Sequence, residues 1–187
     1  MFDDKYGLTK AVLEGRKTMT RRIIKPQPIE FLCVEKSPNR YMEIIQEDDL
    51  ALRIKSHYKV GEVVAVAQNY NSFYDDTYNP VLFPAGAGWD NKMFVKAELM
   101  PHQIRITGIR CERLQNISDE DCFKEGINAS NSHEIGYGIP WVYEFEGSKM
   151  AYYTPREAYA ALIDKVSGKG TWDKNPYVFV YEFELLN

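Results

Sequence analysis

Cysteine is scarce in this chain, and the few that occur do not pair. Cys33, Cys111 and Cys122 are odd in number and widely spaced, with no C-x-x-C among them. That argues against a disulfide framework and against a zinc site, and makes reduced thiols in a cytoplasmic setting the expectation. His57, His102 and His133 show no ligand spacing either, so neither a metal nor a cofactor is expected. No apolar run approaches the roughly 20 residues that cross a bilayer, so no membrane partner is expected. The acidic opening Met1-Phe2-Asp3-Asp4 lacks an apolar h-region and predicts no signal peptide, which leaves the sequons at Asn116 and Asn128 without meaning. Positive charge is also in deficit, with a formal net charge of -4. A protein that grips long duplex DNA by bulk electrostatics needs many exposed Lys and Arg, so that class is disfavoured, whereas a local basic pocket for one nucleotide is not.

What is present suits one globular domain. The 187 residues are enough to bury a core, and nothing in the sequence sets an oligomeric state. The 13 Tyr lift the aromatic content to 13% and lean toward half-buried pleated surfaces. Leu8, Val12 and Leu13 have helical spacing, with Gly15 placed to stop the helix. Residues 29–55 read as a strand, a turn near Ser37-Pro38-Asn39-Arg40, and a second strand. Val63 to Ala67 reads as a buried strand after the Val60-Gly61-Glu62 turn, and Gln103 to Leu114 as another. Residues 69–101 and 128–150 read as long loops inserted over the core. Ser118 caps a brief acidic helix ending at Gly126, and Thr154-Pro155-Arg156-Glu157 is a capping box that starts the clearest helix. A strand over Tyr177 to Leu185 closes an α+β chain with about three short helices.

The densest signal is Glu14-Gly15-Arg16-Lys17-Thr18-Met19-Thr20-Arg21-Arg22, in which cations and hydroxyls crowd together around a single apolar residue. Neither a solvated helix face nor a flexible basic tail has this composition. It reads as a structured strip facing an anion or nucleotide, with Arg16, Lys17, Thr18, Arg21 and Arg22 as binding candidates. Lys17 and Thr20 would face opposite sides of a regular strand, so they share a cleft only if the strip begins as a turn or bulge. Neighbouring arginines would disfavour a further positive charge and lower the Lys17 pKa. Glu125 falls in the last turn of its helix, where an anion is disfavoured by roughly 0.3–1 kcal/mol, and a cation partner such as Lys17 would explain it.

Gly15-Arg16-Lys17-Thr18-x-Thr20-Arg21-Arg22 after a short helix resembles the opening motif of the ASCH domain, a branch of the PUA-like superfamily. Val60-Gly61-Glu62-Val63-Val64 is similar to that family's glycine turn into a barrel strand. Ile104 to Arg110, Glu112 to Ser118, Lys124-Glu125-Gly126-Ile127 and Trp172 to Val178 follow in the family's order. The set most resembles phage- and prophage-type ASCH proteins, and residues 30–50, 69–97 and 128–150 add nothing to it. The resemblance implies a single domain over 1–187 on a PUA-like mixed β-barrel, with a cleft for a nucleotide, a modified nucleoside, or single-stranded RNA or DNA. In one branch, the acetylcytidine amidohydrolases, a Lys, a Thr and a Glu remove an acetyl group without a metal. They fall here on Lys17, Thr20 and Glu125, as base, nucleophile and orienting carboxylate.

Three functions therefore stay open: nucleotide or modified-base recognition, deacylation of an acylated cytosine nucleoside, and a phage-encoded interaction protein whose barrel only carries loops. Other motifs read as structure. Val166 to Thr171 lacks the residues of a phosphate loop and fits a helix C-cap. Arg105, Arg110 and Arg113 share no single face of a regular strand, so ion pairs with nearby acids are their expected use. Trp172 is expected in the core, while Trp89 and Trp141 are candidates to stack on a base.

Overall fold

The computed structural model describes residues 2–27, 41–45, 51–74, 86–131 and 141–186, and within them the apolar periodicities sort into short helices and antiparallel strands. Helix α1 (Leu8–Leu13) ends as its spacing predicts: Gly15 takes φ +71° and its N–H donates to the Val12 carbonyl at 2.9 Å. Strand β1 (Met19–Ile23) follows. Strands β2 (Tyr41–Ile45) and β3 (Ala51–Lys55) form an antiparallel hairpin, so the second expected strand is in fact two. The turn expected at 37–40, and the first expected strand before it, lie outside the described residues. Next come β4 (Val63–Ala65), β5 (Gln103–Arg113), helix α2 (Asp119–Lys124), β6 (Asn128–Asn131), β7 (Trp141–Glu144), helices α3 (Pro155–Ser167) and α4 (Thr171–Lys174), and β8 (Tyr177–Leu186).

The main sheet runs β1-β8-β5-β4, antiparallel throughout, and curls into a half-barrel. Strand β8 is central, and its alternation feeds two cores. Val178 and Val180 pack under α2 and α3 with Met19, Leu114, Tyr159 and Leu162, while Phe179, Tyr181 and Phe183 meet Val66, Ile104 and Ile106 on the other face. Strand β5 holds this two-faced arrangement only because its register shifts between Ile106 and Gly108. The bulge moves the parity by one, so Ile104, Ile106, Ile109 and Cys111 all pack toward the second core. Arg105 and Arg110 are thereby brought to the opposite face, where they meet Glu184 and Glu182, and Arg113 turns away to stack on Tyr177 at 3.8 Å. The parity expected for a regular strand is corrected accordingly; the expected use in ion pairs holds for Arg105 and Arg110.

Helix α3 has the full capping box, with Thr154 accepting from the Glu157 N–H and the Glu157 carboxylate accepting from the Thr154 N–H. It buries Ala158, Tyr159, Leu162 and Ile163, an i, i+1, i+4, i+5 stripe. Trp172 packs edge-on against Tyr159.

Several expectations change. Strand β4 is a three-residue edge with Val63 46% exposed, not a buried strand. Residues 128–150 contain the β6–β7 hairpin rather than a bare loop. The described part of 69–101 is built around its own small core of Tyr70 and Met100, with Trp89 edge-on to Tyr70 and Tyr74, which draws Trp89 into packing. Helix α4, a single turn, is a fourth helix begun at Thr171 once Gly168 and Gly170 close α3. Among the described residues no helix is long and apolar enough to cross a membrane, and no acidic, His or Cys group could hold a metal.

Candidate functional site

The basic strip begins as a turn. After Gly15 the Lys17 N–H donates to the Ala11 carbonyl at 2.9 Å and the Thr18 N–H to the Lys124 carbonyl at 3.0 Å, so the strip closes the C-terminal ends of α1 and α2 together. The Thr18 carbonyl then accepts from Phe183 and β1 pairing starts. Along β1, Met19 and Arg21 are buried, while Thr20 and Arg22, each following one of them, are only half-buried.

Lys17 is 2% exposed and its ammonium donates to the Glu125 carboxylate at 2.7 Å and to the Glu125 carbonyl at 2.8 Å. The placement of Glu125 is thus explained: it caps α2, and one lysine satisfies both its charge and its orphan carbonyl. The second Glu125 oxygen accepts from Arg21 at 3.2 Å. Arg21 in turn donates twice to Glu112 and once to Asp121, and its last N–H lies on the Met19 sulfur. A guanidinium has five donors, and all five are used. Arg21 therefore has no donor left for a ligand, and holds Glu125 in position instead.

Burial is the main cause that holds the Lys17 pKa below its ordinary 10.5; the Glu125 carboxylate opposes this, and Arg22 and Arg21 add smaller downward pushes. The expected direction stands, but desolvation outweighs the neighbouring cations. Two of the three ammonium donors go to Glu125. No hydrogen bond joins Lys17 to Thr20.

A cavity of about 880 Å³ has Lys17, Thr20, Arg21, Arg22, Glu125 and Tyr159 in its wall, a volume in the range of small-molecule sites. A second cavity of about 340 Å³ shares Phe2, Thr20, Arg22 and Lys92 with the first and is otherwise largely apolar and aromatic. Thr20 and Arg22 thus stand at the junction of the two. Arg16 and Thr18 line neither. Arg16 is exposed and bound to Glu14 and Asn128, and Thr18 contributes its backbone.

Four residues were missed by sequence reasoning. Glu112 and Asp121 hold Arg21 from 91 and 100 residues away, a separation that carries no local signal. Lys92, from the long loop, reaches the Phe2 carbonyl, Asp4 and Thr9 and ties the first residues over the cavity. Tyr159 follows Ala158 on the apolar stripe of α3, where only its hydroxyl distinguishes it from core. No protein-family model matches this chain, and no curated protein or solved structure is significantly similar to it.

Proposed function

We propose that the larger cavity recognises a nucleotide or a modified base of RNA or DNA, on a PUA-like barrel of the ASCH kind. The observation that carries this reading is the buried Lys17–Glu125 pair in the wall of a nucleotide-sized cavity. An ion pair in such a place costs several kcal/mol in desolvation and adds little net stability, so its retention favours a role toward a ligand. Lys17 supplies an ammonium donor whose orientation is fixed by Glu125 and, through Glu125, by Arg21. Arg22 and Thr20 add a cation and a hydroxyl at the junction with the aromatic cavity, so a base and a phosphate can be met by different parts of one site. Calorimetric titration with cytidine 5′-monophosphate and with a short single-stranded RNA tests the reading. Binding that weakens at least about tenfold in Lys17→Ala, the loss of one charge-assisted hydrogen bond, is expected. No binding by the folded wild-type protein to any nucleotide or single strand overturns it.

A second reading rests on Lys17, Thr20 and Glu125 lining one cavity, and burial of Lys17 acts in the direction a base requires. A neutral Lys17 takes the Thr20 hydroxyl proton as the oxygen attacks an acyl carbon; the C–N bond then breaks, the amine leaves with the proton from Lys17, and water hydrolyses the acyl-threonine ester. Acetate released from acetylcytidine by the wild-type protein and not by Thr20→Ala establishes this reading. Nucleotide binding without acetate release leaves recognition alone.

A further inference from the structure

Among the described residues only two buried side-chain polar atoms lack a hydrogen-bond partner, Gln68 Oε1 and the Tyr159 hydroxyl. Gln68 belongs to neither cavity described above. Tyr159 is 1% exposed and lines the larger one, together with Lys17 and Glu125. Everything around the Tyr159 ring is settled: it packs in the core under α3 and meets Trp172 edge-on at 6.2 Å. Phenylalanine would fill that space equally well. A buried, unpaired hydroxyl is a net loss to the folded protein, because folding strips it of water and returns nothing. Such groups call for an explanation, and in a cavity wall the natural one is a ligand atom.

We propose that the Tyr159 hydroxyl is a ligand-binding group of this cavity, donating its hydrogen bond to a neutral carbonyl oxygen of the bound base. The inference rests on the nucleotide reading and adds to it which part of the ligand lies beside α3. The choice of a carbonyl over a phosphate follows from charge. Of the charges acting on this hydroxyl the Glu125 carboxylate is the largest and Glu112 adds to it, while Arg21 opposes them, so an anionic acceptor placed there is disfavoured against a neutral one. Burial, with Glu125 adding to it, also keeps the phenol protonated well above its ordinary 10.0, so it remains a donor at any physiological pH. A base with a carbonyl on its edge, as in cytosine or uracil, satisfies this donor, and adenine, which has none, does not.

The test is Tyr159→Phe, read in two ways. In the ligand-free protein the thermal midpoint is expected to stay level or rise, since an unpaired hydroxyl is removed and the ring is kept. Affinity for cytidine 5′-monophosphate, measured by calorimetry, is expected to fall about fivefold to tenfold, the worth of one neutral hydrogen bond, while affinity for adenosine 5′-monophosphate stays as in wild type. A lowered thermal midpoint would mean that the hydroxyl is bonded within the protein, and overturns the proposal. So does wild-type cytidine nucleotide affinity in the variant, which leaves the wider nucleotide reading intact. If the wild-type protein binds neither nucleotide, this assignment falls, and the wider reading falls with it only when single-stranded RNA also fails to bind.

Discussion

Lys17, Glu125 and Arg21 form one chain of charge: an ammonium, a bridging carboxylate and a saturated guanidinium, with side-chain exposures of 2%, 5% and 0%. Neutralising the bridge leaves the buried Lys17 ammonium without a counter-charge, while Arg21 keeps Glu112 and Asp121, so Glu125→Gln is expected to cost about 3–5 kcal/mol in urea unfolding. The loss should depend on pH with a definite sign. The folded-state pKa of Lys17 is already below 10.5, and Glu125 is the main group raising it. Without Glu125 that pKa falls further, and the unfolded chain holds the Lys17 proton where the folded one does not. Stability of the variant therefore rises with pH up to about 10.5, more steeply than in wild type. A pH-independent difference between the two would mean that Lys17 is not coupled to Glu125. Part of this was legible in the sequence. The awkward position of Glu125 at a helix end pointed to a cation, and the strip offered Lys17. The fate of Arg21 was not legible, because saturation of a guanidinium depends on carboxylates from β5 and α2 that only the fold assembles.

At the scale of elements, the legible parts were those with a local physical cause. The Thr154 capping box and the Gly15 stop each act within a few residues, and the alternation in β8 is long enough to read. The β6–β7 hairpin was not, since Asn128-Ala129-Ser130-Asn131 alternates no apolar groups and lies half in solvent. The bulge in β5 is an intermediate case: apolar residues fall at 104, 106, 109 and 111, and the slip at Thr107-Gly108 is visible in that spacing. It also places the site, because it turns Glu112 toward Arg21 rather than into the second core. Deleting Thr107 removes the extra residue and leaves Ile109 and Cys111 on the core face, whereas one residue inserted after Gly108 exchanges them with Arg110 and Glu112. The insertion is expected to lose at least about 3 kcal/mol in urea unfolding, from buried charge and exposed apolar surface together, and the deletion much less. An unchanged midpoint in the insertion variant would show that the register of β5 is fixed elsewhere.

For the molecule as a whole, the decisive quantity is how little positive charge the cavity adds to an acidic surface. The chain carries 27 acidic residues against 23 Lys and Arg. Of the six cations that line the larger cavity, Lys17 and Arg21 are committed to Glu125 and Lys92 to Asp4, so at most three can serve phosphates. Two or three phosphates is then the most that a strand can engage. Each contributes about −0.7 to the slope of log affinity against log salt for a single strand, so a slope between about −1 and −2 is expected, with single strands preferred over long duplex. Fluorescence anisotropy of a labelled oligonucleotide over a salt series measures it. The same balance gives Arg22 a distinct signature, since it stands at the junction of the two cavities: Arg22→Ala should weaken nucleotide binding and reduce the slope together, whereas Arg16→Ala, outside both cavities, should change neither. A steep slope with duplex preference would place the nucleic-acid surface outside this cavity, because no pocket with so few available cations can release that many counterions.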